Sequence, residues 1–145
     1  MYKITFIIIF AAVLWMGEQK ITVLFASKAG DPSETAQQID LGLFLQLLHQ
    51  DNAEIIDMRR SLDYKRSHIS KSSGFQLPRT AAEESRYNER LDTMKYIVLY
   101  ANAGVNEQMH EYAKTLSGRG KKDVFFYTGG FLEWTAAGLP VEKND

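Results

Sequence analysis

The sequence predicts an α/β domain in which a small parallel sheet, covered by helices on both faces, is preceded by an N-terminal hydrophobic segment. Short apolar runs typical of buried strands alternate with segments of helical periodicity, at the spacing of βαβ units. The length of 145 residues suits one domain with a modest core. Hydrophobic residues make up 45% of the chain and charged residues 24%, a balance typical of folded proteins rather than disordered ones.

Residues 1–29 predict a signal peptide or a membrane anchor. Lys3 precedes an uncharged apolar run over residues 4–16, and a basic start before a short apolar stretch is typical of secretory signals. A second apolar patch ends at residues 27–29, which form an acceptable cleavage site. There are two alternatives to a cleaved signal peptide. The segment is an uncleaved anchor, or the start was assigned too early and Met16 is the true start. We therefore expect an exported, periplasmic or membrane-anchored protein with its domain outside the cytoplasm.

The first half of the domain is predicted as a linker followed by short alternating elements. Residues 30–38 are polar and rich in turn formers, so they predict a linker, and the domain is assigned to residues 39–145. Asp40 is a suitable N-cap for a helix whose leucines and phenylalanine share one face. The elements predicted in this half are helix 41–48, strand 53–57, helix 61–67, and a charged segment, 79–93, that is at best helical, with Tyr87 and Leu91 able to pack inward.

The second half places a short loop between a buried strand and an amphipathic helix. Strand 96–100 runs into residues 101–106, and the helix that follows, 106–117, has Met109, Ala113 and Leu116 on one face. A strand, a glycine-containing loop and a helix start can present backbone N–H groups to an anion or a thiolate. Strand 124–127, a tight turn at Gly129-Gly130 and helix 131–136 complete the pattern, and residues 138–141 close the domain.

Composition excludes several classes of function. A formal net charge of −1 argues against a nucleic-acid partner, whose binding proteins usually carry a strongly basic face. The chain has no cysteine, which excludes disulfides, thiolate catalysis, iron–sulfur clusters and cysteine-based zinc sites. Its three histidines lack the spacing of paired metal ligands, so we expect no metal and no cofactor.

Three blocks of sequence fall in a fixed order across residues 35–142. The first joins residues 55–59 to residues 63–64 and 68–69, the second covers residues 97–104, and the third joins residues 127–134 to residues 137–141. Together they resemble the rhodanese-homology (rhodanese-like) domain, a family of sulfurtransferases and their inactive relatives. The resemblance implies a rhodanese-like fold and a catalytic loop directly after strand 96–100. The short loop is similar to that of sulfur-transferring members rather than to the longer loop of related phosphatases.

The departures from the family pattern concern its chemistry. The position of the family's nucleophilic cysteine falls on Ala101, and an arginine common in the family falls on Asn106. Ser67 and Lys71 stand where small glycines are usual. The resemblance therefore implies a vestigial active-site loop, formed by Ala101, Asn102, Ala103, Gly104, Val105 and Asn106, with Asp57, Arg59 and His68 as the residues that frame it.

These observations predict a pseudoenzyme. An alanine methyl group cannot be deprotonated or carry a covalent intermediate, and residues 101–107 contain no serine or threonine that could act instead. Glu107 in the first helical turn repels an incoming anion. We expect a catalytically inactive module that binds an unidentified protein partner or a small anion, with membrane attachment through its N-terminus. The alternative is a sulfurtransferase-related enzyme that uses a nucleophile supplied by a partner or a bound thiol.

Overall fold

A computed structural model describes residues 36–75, 80–121 and 123–144 of the chain. The predicted signal peptide or anchor, residues 1–29, lies outside these described residues, and so does most of the predicted linker. Within the described ranges, no helix combines the length and the apolar character needed to cross a bilayer.

The described residues form alternating strands and helices, as the sequence predicts. Their bounds are β1 Gln37–Ile39, α1 Leu41–Leu48, β2 Ala53–Asp57, α2 Ser61–Arg66, β3 His68–Ile69, β4 Ser73–Gly74, α3 Ala81–Thr93, β5 Tyr96–Tyr100, α4 Glu107–Gly118, β6 Val124–Tyr127, α5 Gly130–Ala136 and β7 Val141–Glu142.

Five of the strands form one parallel sheet in the order β1-β6-β5-β2-β4. The two remaining strands, β3 and β7, form a separate antiparallel pair. A parallel sheet requires crossover connections, and the helices supply them. The prediction of an α/β fold with a small parallel sheet is confirmed.

The core lies on both faces of this sheet. Along β5, Ile97 and Leu99 are buried in one apolar cluster, while Val98 and Tyr100 are buried in the other. The first cluster takes its helical residues from α3 and α4, and the second from α1 and α5. Strands buried on both faces are expected to be continuously apolar, which is why β5 reads Tyr-Ile-Val-Leu-Tyr.

The predicted linker is wrong at its C-terminal end. Gln37 and Gln38 belong to β1, where they pair with Phe125 and Phe126 of β6. Both glutamines are exposed, and in this edge strand only Ile39 is buried. Because one inward-facing side chain carries no periodicity, the sequence of β1 is indistinguishable from a polar linker.

Caps fix where the helices begin. Asp40 accepts a hydrogen bond from the backbone N–H of Leu43 at 2.9 Å, which confirms it as the N-cap of α1. Thr80 and Glu83 form a capping box at the start of α3. The helical prediction for residues 79–93 is confirmed in α3, where Leu91 is fully buried and Tyr87 packs against the core.

Candidate functional site

The candidate site lies at the carboxyl edge of the parallel sheet. Asp57, Tyr100 and Tyr127 end β2, β5 and β6, and they are direct partners in the sheet register. The loop of residues 101–106 leaves β5 at this edge. Crevices outside the carboxyl ends of parallel strands are where α/β proteins bind ligands.

Backbone hydrogen bonds join the loop to the first turn of α5 and to Thr128, in the turn that precedes α5. Phe131 N–H donates to the carbonyl oxygen of Ala101 at 2.9 Å, and Leu132 N–H donates to that of Asn102 at 2.9 Å. In the opposite direction, the N–H of Gly104 donates to the carbonyl oxygen of Thr128 at 2.7 Å. The first turn of α5 therefore holds the loop in place.

Gly130 makes this attachment sterically feasible. Its φ angle is 62°, in the left-handed region that glycine adopts without strain. A Cβ atom at this position would lie 2.6 Å from the carbonyl oxygens of both Ala101 and Asn102. The tight turn and close backbone approach predicted for Gly129-Gly130 are therefore present at Gly130.

Ala101 is buried, whereas most of the loop is exposed. Only 7% of Ala101 is accessible, and it belongs to an apolar cluster that also contains Met58 and Met109. Val105 is half-buried against the same cluster. The exposed loop residues are Asn102, Ala103, Gly104 and Asn106. The loop thus presents its backbone, its amides and the methyl group of Ala103 to solvent, and it keeps the side chains of Ala101 and Val105 inward.

Asn106 serves as the N-cap of α4. Its side-chain oxygen accepts a hydrogen bond from the backbone N–H of Met109 at 3.0 Å. Asparagine is among the preferred N-cap residues, so the helix itself accounts for the residue at this position. An arginine here would supply a cation to the loop but no acceptor to the helix.

Asp57 and Arg59 form a buried ion pair. Arg59 Nη2 lies 2.6 Å from Asp57 Oδ2, and Arg59 Nε donates to the carboxylate at 3.0 Å. The side chains are 5% and 0% exposed. Burial alone would lower the pKa of Arg59, but the hydrogen bonds and charge of Asp57 outweigh it and raise that pKa. Arg59 is therefore held as a permanent cation.

Tyr100 extends this pair into a buried network. Its hydroxyl donates to Asp57 Oδ2 at 2.6 Å and accepts from the backbone N–H of Ile69 at 3.2 Å. Because its only hydrogen points to Asp57, the Oγ of Ser72 at 3.1 Å acts as a donor to it. Burial, reinforced by the neighbouring carboxylate, raises the pKa of Tyr100. Tyr100 and Ser72 were not predicted from the sequence.

Arg59 connects the network to the loop. Its guanidinium carbon lies 3.7 Å from the centre of the Phe131 ring, and its Nη2 donates to the carbonyl oxygen of Ser67 at 2.7 Å. Phe131 in turn binds the carbonyl of Ala101. The aromatic face attracts the cation, and this contact stabilises both partners. Asp57 and Arg59 thus lie one side chain away from the loop.

His68 faces the C-terminal strand rather than the loop. Its Nδ1 lies 2.9 Å from the carbonyl oxygen of Tyr64, and its ring stacks on the Tyr64 ring with centroids 4.0 Å apart. Its Nε2 lies 3.6 Å from a carboxylate oxygen of Glu142 in β7. Among the described contacts of His68, none reaches residues 101–106.

Glu133 places a carboxylate beside the turn that anchors the loop. It accepts a hydrogen bond from the Tyr127 hydroxyl at 2.8 Å. It also folds over Gly129, where a Cβ atom would lie 1.6 Å from a Glu133 carboxylate oxygen. Burial and this hydrogen bond raise the pKa of Tyr127. This arrangement could not be predicted from the sequence, since Glu133 is one exposed residue in a short helix.

The family model of the rhodanese-like domain matches residues 40–137. Similar solved structures include Alr3790 from Anabaena sp., with 23% identity, a TM-score of 0.53, and coverage of 73% of this chain and 80% of that one. BH2092 from Bacillus halodurans has 19% identity and a TM-score of 0.58, with coverage of 74% and 77%. No curated protein gave a significant match.

A thiosulfate sulfurtransferase from Pseudomonas aeruginosa is also similar, with 26% identity and a TM-score of 0.57. The similarity covers 75% of this chain but only 20% of that larger protein. The resemblance drawn from the three sequence blocks agrees with these matches, and the fold brings the three blocks together at one edge of the sheet. This chain therefore belongs to the rhodanese-like domain family.

Proposed function

We propose that this chain is a catalytically inactive rhodanese-like module that binds a partner protein through the loop of residues 101–106. It acts outside the cytoplasm, either exported or attached to the membrane by its N-terminal apolar segment. The observation that carries the proposal is Ala101, a buried residue at the position of the family's nucleophile. Its methyl group has no lone pair and cannot hold a persulfide.

The charges around the loop favour a protein surface over a small anion. Asn106 is neutral, and its side-chain oxygen is engaged by α4. The nearby acidic residues Glu107 and Glu133 are both exposed. Leu132, which binds the loop through its N–H, is 59% exposed and offers an apolar contact beside the exposed loop backbone. Apolar contact with a polar rim is typical of protein interfaces.

Thiosulfate and cyanide test the absence of catalysis. The purified full chain is incubated with both, and thiocyanate is measured against a control without protein. We expect no thiocyanate above the control. Ala101→Cys, alone and combined with Asn106→Arg, is the matched comparison, because it restores the thiol to the same loop. Turnover by the native chain would contradict the proposal.

Addition of a small thiol tests the alternative function. If a nucleophile comes from a bound thiol, a mixture of thiosulfate, cyanide and glutathione will form thiocyanate faster with the native chain than without it. We expect equal rates with and without the chain. Calorimetric titration with thiosulfate or inorganic phosphate tests whether the loop binds a small anion rather than a protein. We expect no measurable heat of binding.

A further inference from the structure

Helix α2 carries a basic surface patch that is independent of the loop. We name it the α2 patch, and it consists of Arg60, Leu62, Lys65, Arg66 and Lys143. No residue of α2 is fully buried, and the helix lies on the surface with Tyr64 half-buried against His68. The side chains of Arg60 and Arg66 are 85% and 81% exposed. Lys65 and Lys143 are exposed as well.

Leu62 stands in the middle of these cations. It is 73% exposed, the highest value among the large hydrophobic residues of the described part of the chain. Lys65 and Arg66 follow it at i+3 and i+4, which makes both of them its neighbours on the helix surface. Lys143 is brought to the same side, because the N–H of the next residue, Asn144, donates to the carbonyl of Lys65 at 3.0 Å.

Carboxylates offset the cations only in part. Asp63 lies 2.9 Å from Arg60 and 4.0 Å from Arg66. Among the described residues, Glu142 is the other carboxylate next to the patch, and it approaches His68 at 3.6 Å. Within the described part of the chain, four cations therefore face two carboxylates, so this surface is positive on a chain whose formal net charge is −1. Charge complementarity selects an anionic partner.

We propose that the α2 patch binds the surface of a bilayer that contains anionic phospholipids. An exposed leucine surrounded by lysine and arginine is the composition of interfacial membrane-binding elements, in which the apolar side chain enters the headgroup boundary. The long basic side chains place their charges at the headgroups while their stems cover apolar surface. The apolar run over residues 4–16 of the same chain adds a second membrane signal, and two signals together give stable attachment where one gives marginal binding.

Vesicle binding of the full chain tests this proposal. Sedimentation is compared between phosphatidylcholine vesicles and mixed phosphatidylcholine–phosphatidylglycerol vesicles. Binding to the neutral vesicles reports on the N-terminal segment, and the ratio between the two vesicle types reports on the patch. We expect a ratio of about ten or more at low salt. It should fall towards one in about 1 M salt, where the screening length is only about 3 Å.

Two variants locate the effect on α2. Arg60→Gln combined with Lys65→Gln and Arg66→Gln should lower the ratio about tenfold. Leu62→Gln leaves every charge in place and should weaken binding to the anionic vesicles several-fold, because it removes only the inserted side chain. Arg86→Gln combined with Lys95→Gln and Lys114→Gln is the control, since it neutralises the same number of exposed cations on and beside α3 and α4.

The outcomes separate the proposal from its competitors. If the native chain at low salt binds anionic and neutral vesicles equally, the proposal is overturned, and an acidic protein becomes the partner to test for the patch. Equal losses in the patch variant and in the α3–α4 control would also overturn it, because the effect would then reflect net charge alone. Neither result concerns the loop of residues 101–106, so the proposed binding role of the loop is tested independently of the patch.

Discussion

Gly130→Ala tests whether the first turn of α5 holds the loop of residues 101–106 in place. The new Cβ atom would lie 2.6 Å from the carbonyl oxygens of Ala101 and Asn102, and both are backbone atoms that cannot rotate away. The loop or the first turn of α5 must therefore shift. That shift weakens the hydrogen bonds from Phe131 and Leu132 to these two carbonyls.

The expected cost follows from three contributions. Holding alanine at a φ of 62° costs about 1–2 kcal/mol, because its Cβ opposes the left-handed conformation. Two weakened backbone hydrogen bonds cost about 0.5–1.5 kcal/mol each. Displacing packed backbone adds to this, so we expect a loss of about 3–5 kcal/mol in the free energy of unfolding. That is a large share of the roughly 5–15 kcal/mol typical of a domain.

Urea unfolding followed by tryptophan fluorescence measures this loss, since Trp134 is buried in the core. Gly138→Ala is the matched control. Gly138 has a φ of 68°, and a Cβ atom there would meet nothing within 4 Å. The control therefore carries the conformational cost without the clash. If the two variants lose the same stability, the close approach of Gly130 to the loop does not hold the loop in place.

Three further predictions concern the framework and the cap. Asp57→Asn leaves Arg59 buried without its counter-charge and should lower the free energy of unfolding in urea by about 3–5 kcal/mol. Asp63→Asn, in a solvent-accessible pair, should leave the urea midpoint unchanged. Equal effects of the two variants would argue against a buried pair. Asn106→Ala should cost about 1 kcal/mol by removing the N-cap of α4, and an unchanged midpoint would disprove that role. The pKa of Tyr127 is raised from 10.0 in the folded state, so its stabilising effect is complete below pH 10 and is lost as pH rises further. Tyr127→Phe should therefore make the decline in stability above pH 10 shallower, and an unchanged slope would show that this tyrosine does not titrate differently on unfolding.

The long periodic elements could be predicted from the sequence. Strand β5 is continuously apolar and is buried on both faces, and helix α4 places Met109 and Leu116 on one side. Both patterns encode burial directly, because each side chain reports the face it occupies. The structure therefore confirms the expectations that rest on burial periodicity in these two elements.

Short strands and polar networks could not be predicted in this way. Strands β3, β4 and β7 have two residues each, too few to show alternation. The bond from Tyr100 to Asp57 joins residues far apart in the chain, and a tyrosine at the end of an apolar strand reads as core. Lys71 adopts a φ of 66° where the family usually has glycine, so the turn persists despite the substitution. Such features depend on tertiary contacts rather than on local pattern.

The proposed inactivity requires that the native chain does not accept sulfur covalently. Intact mass spectrometry of the full chain after incubation with thiosulfate, and then with an organic persulfide donor, tests this requirement. The Ala101→Cys variant serves as the comparison, because it carries a thiol at the same buried position. We predict an unchanged mass for the native chain with both donors. A mass increase of one sulfur atom on the native chain would contradict the proposed inactivity.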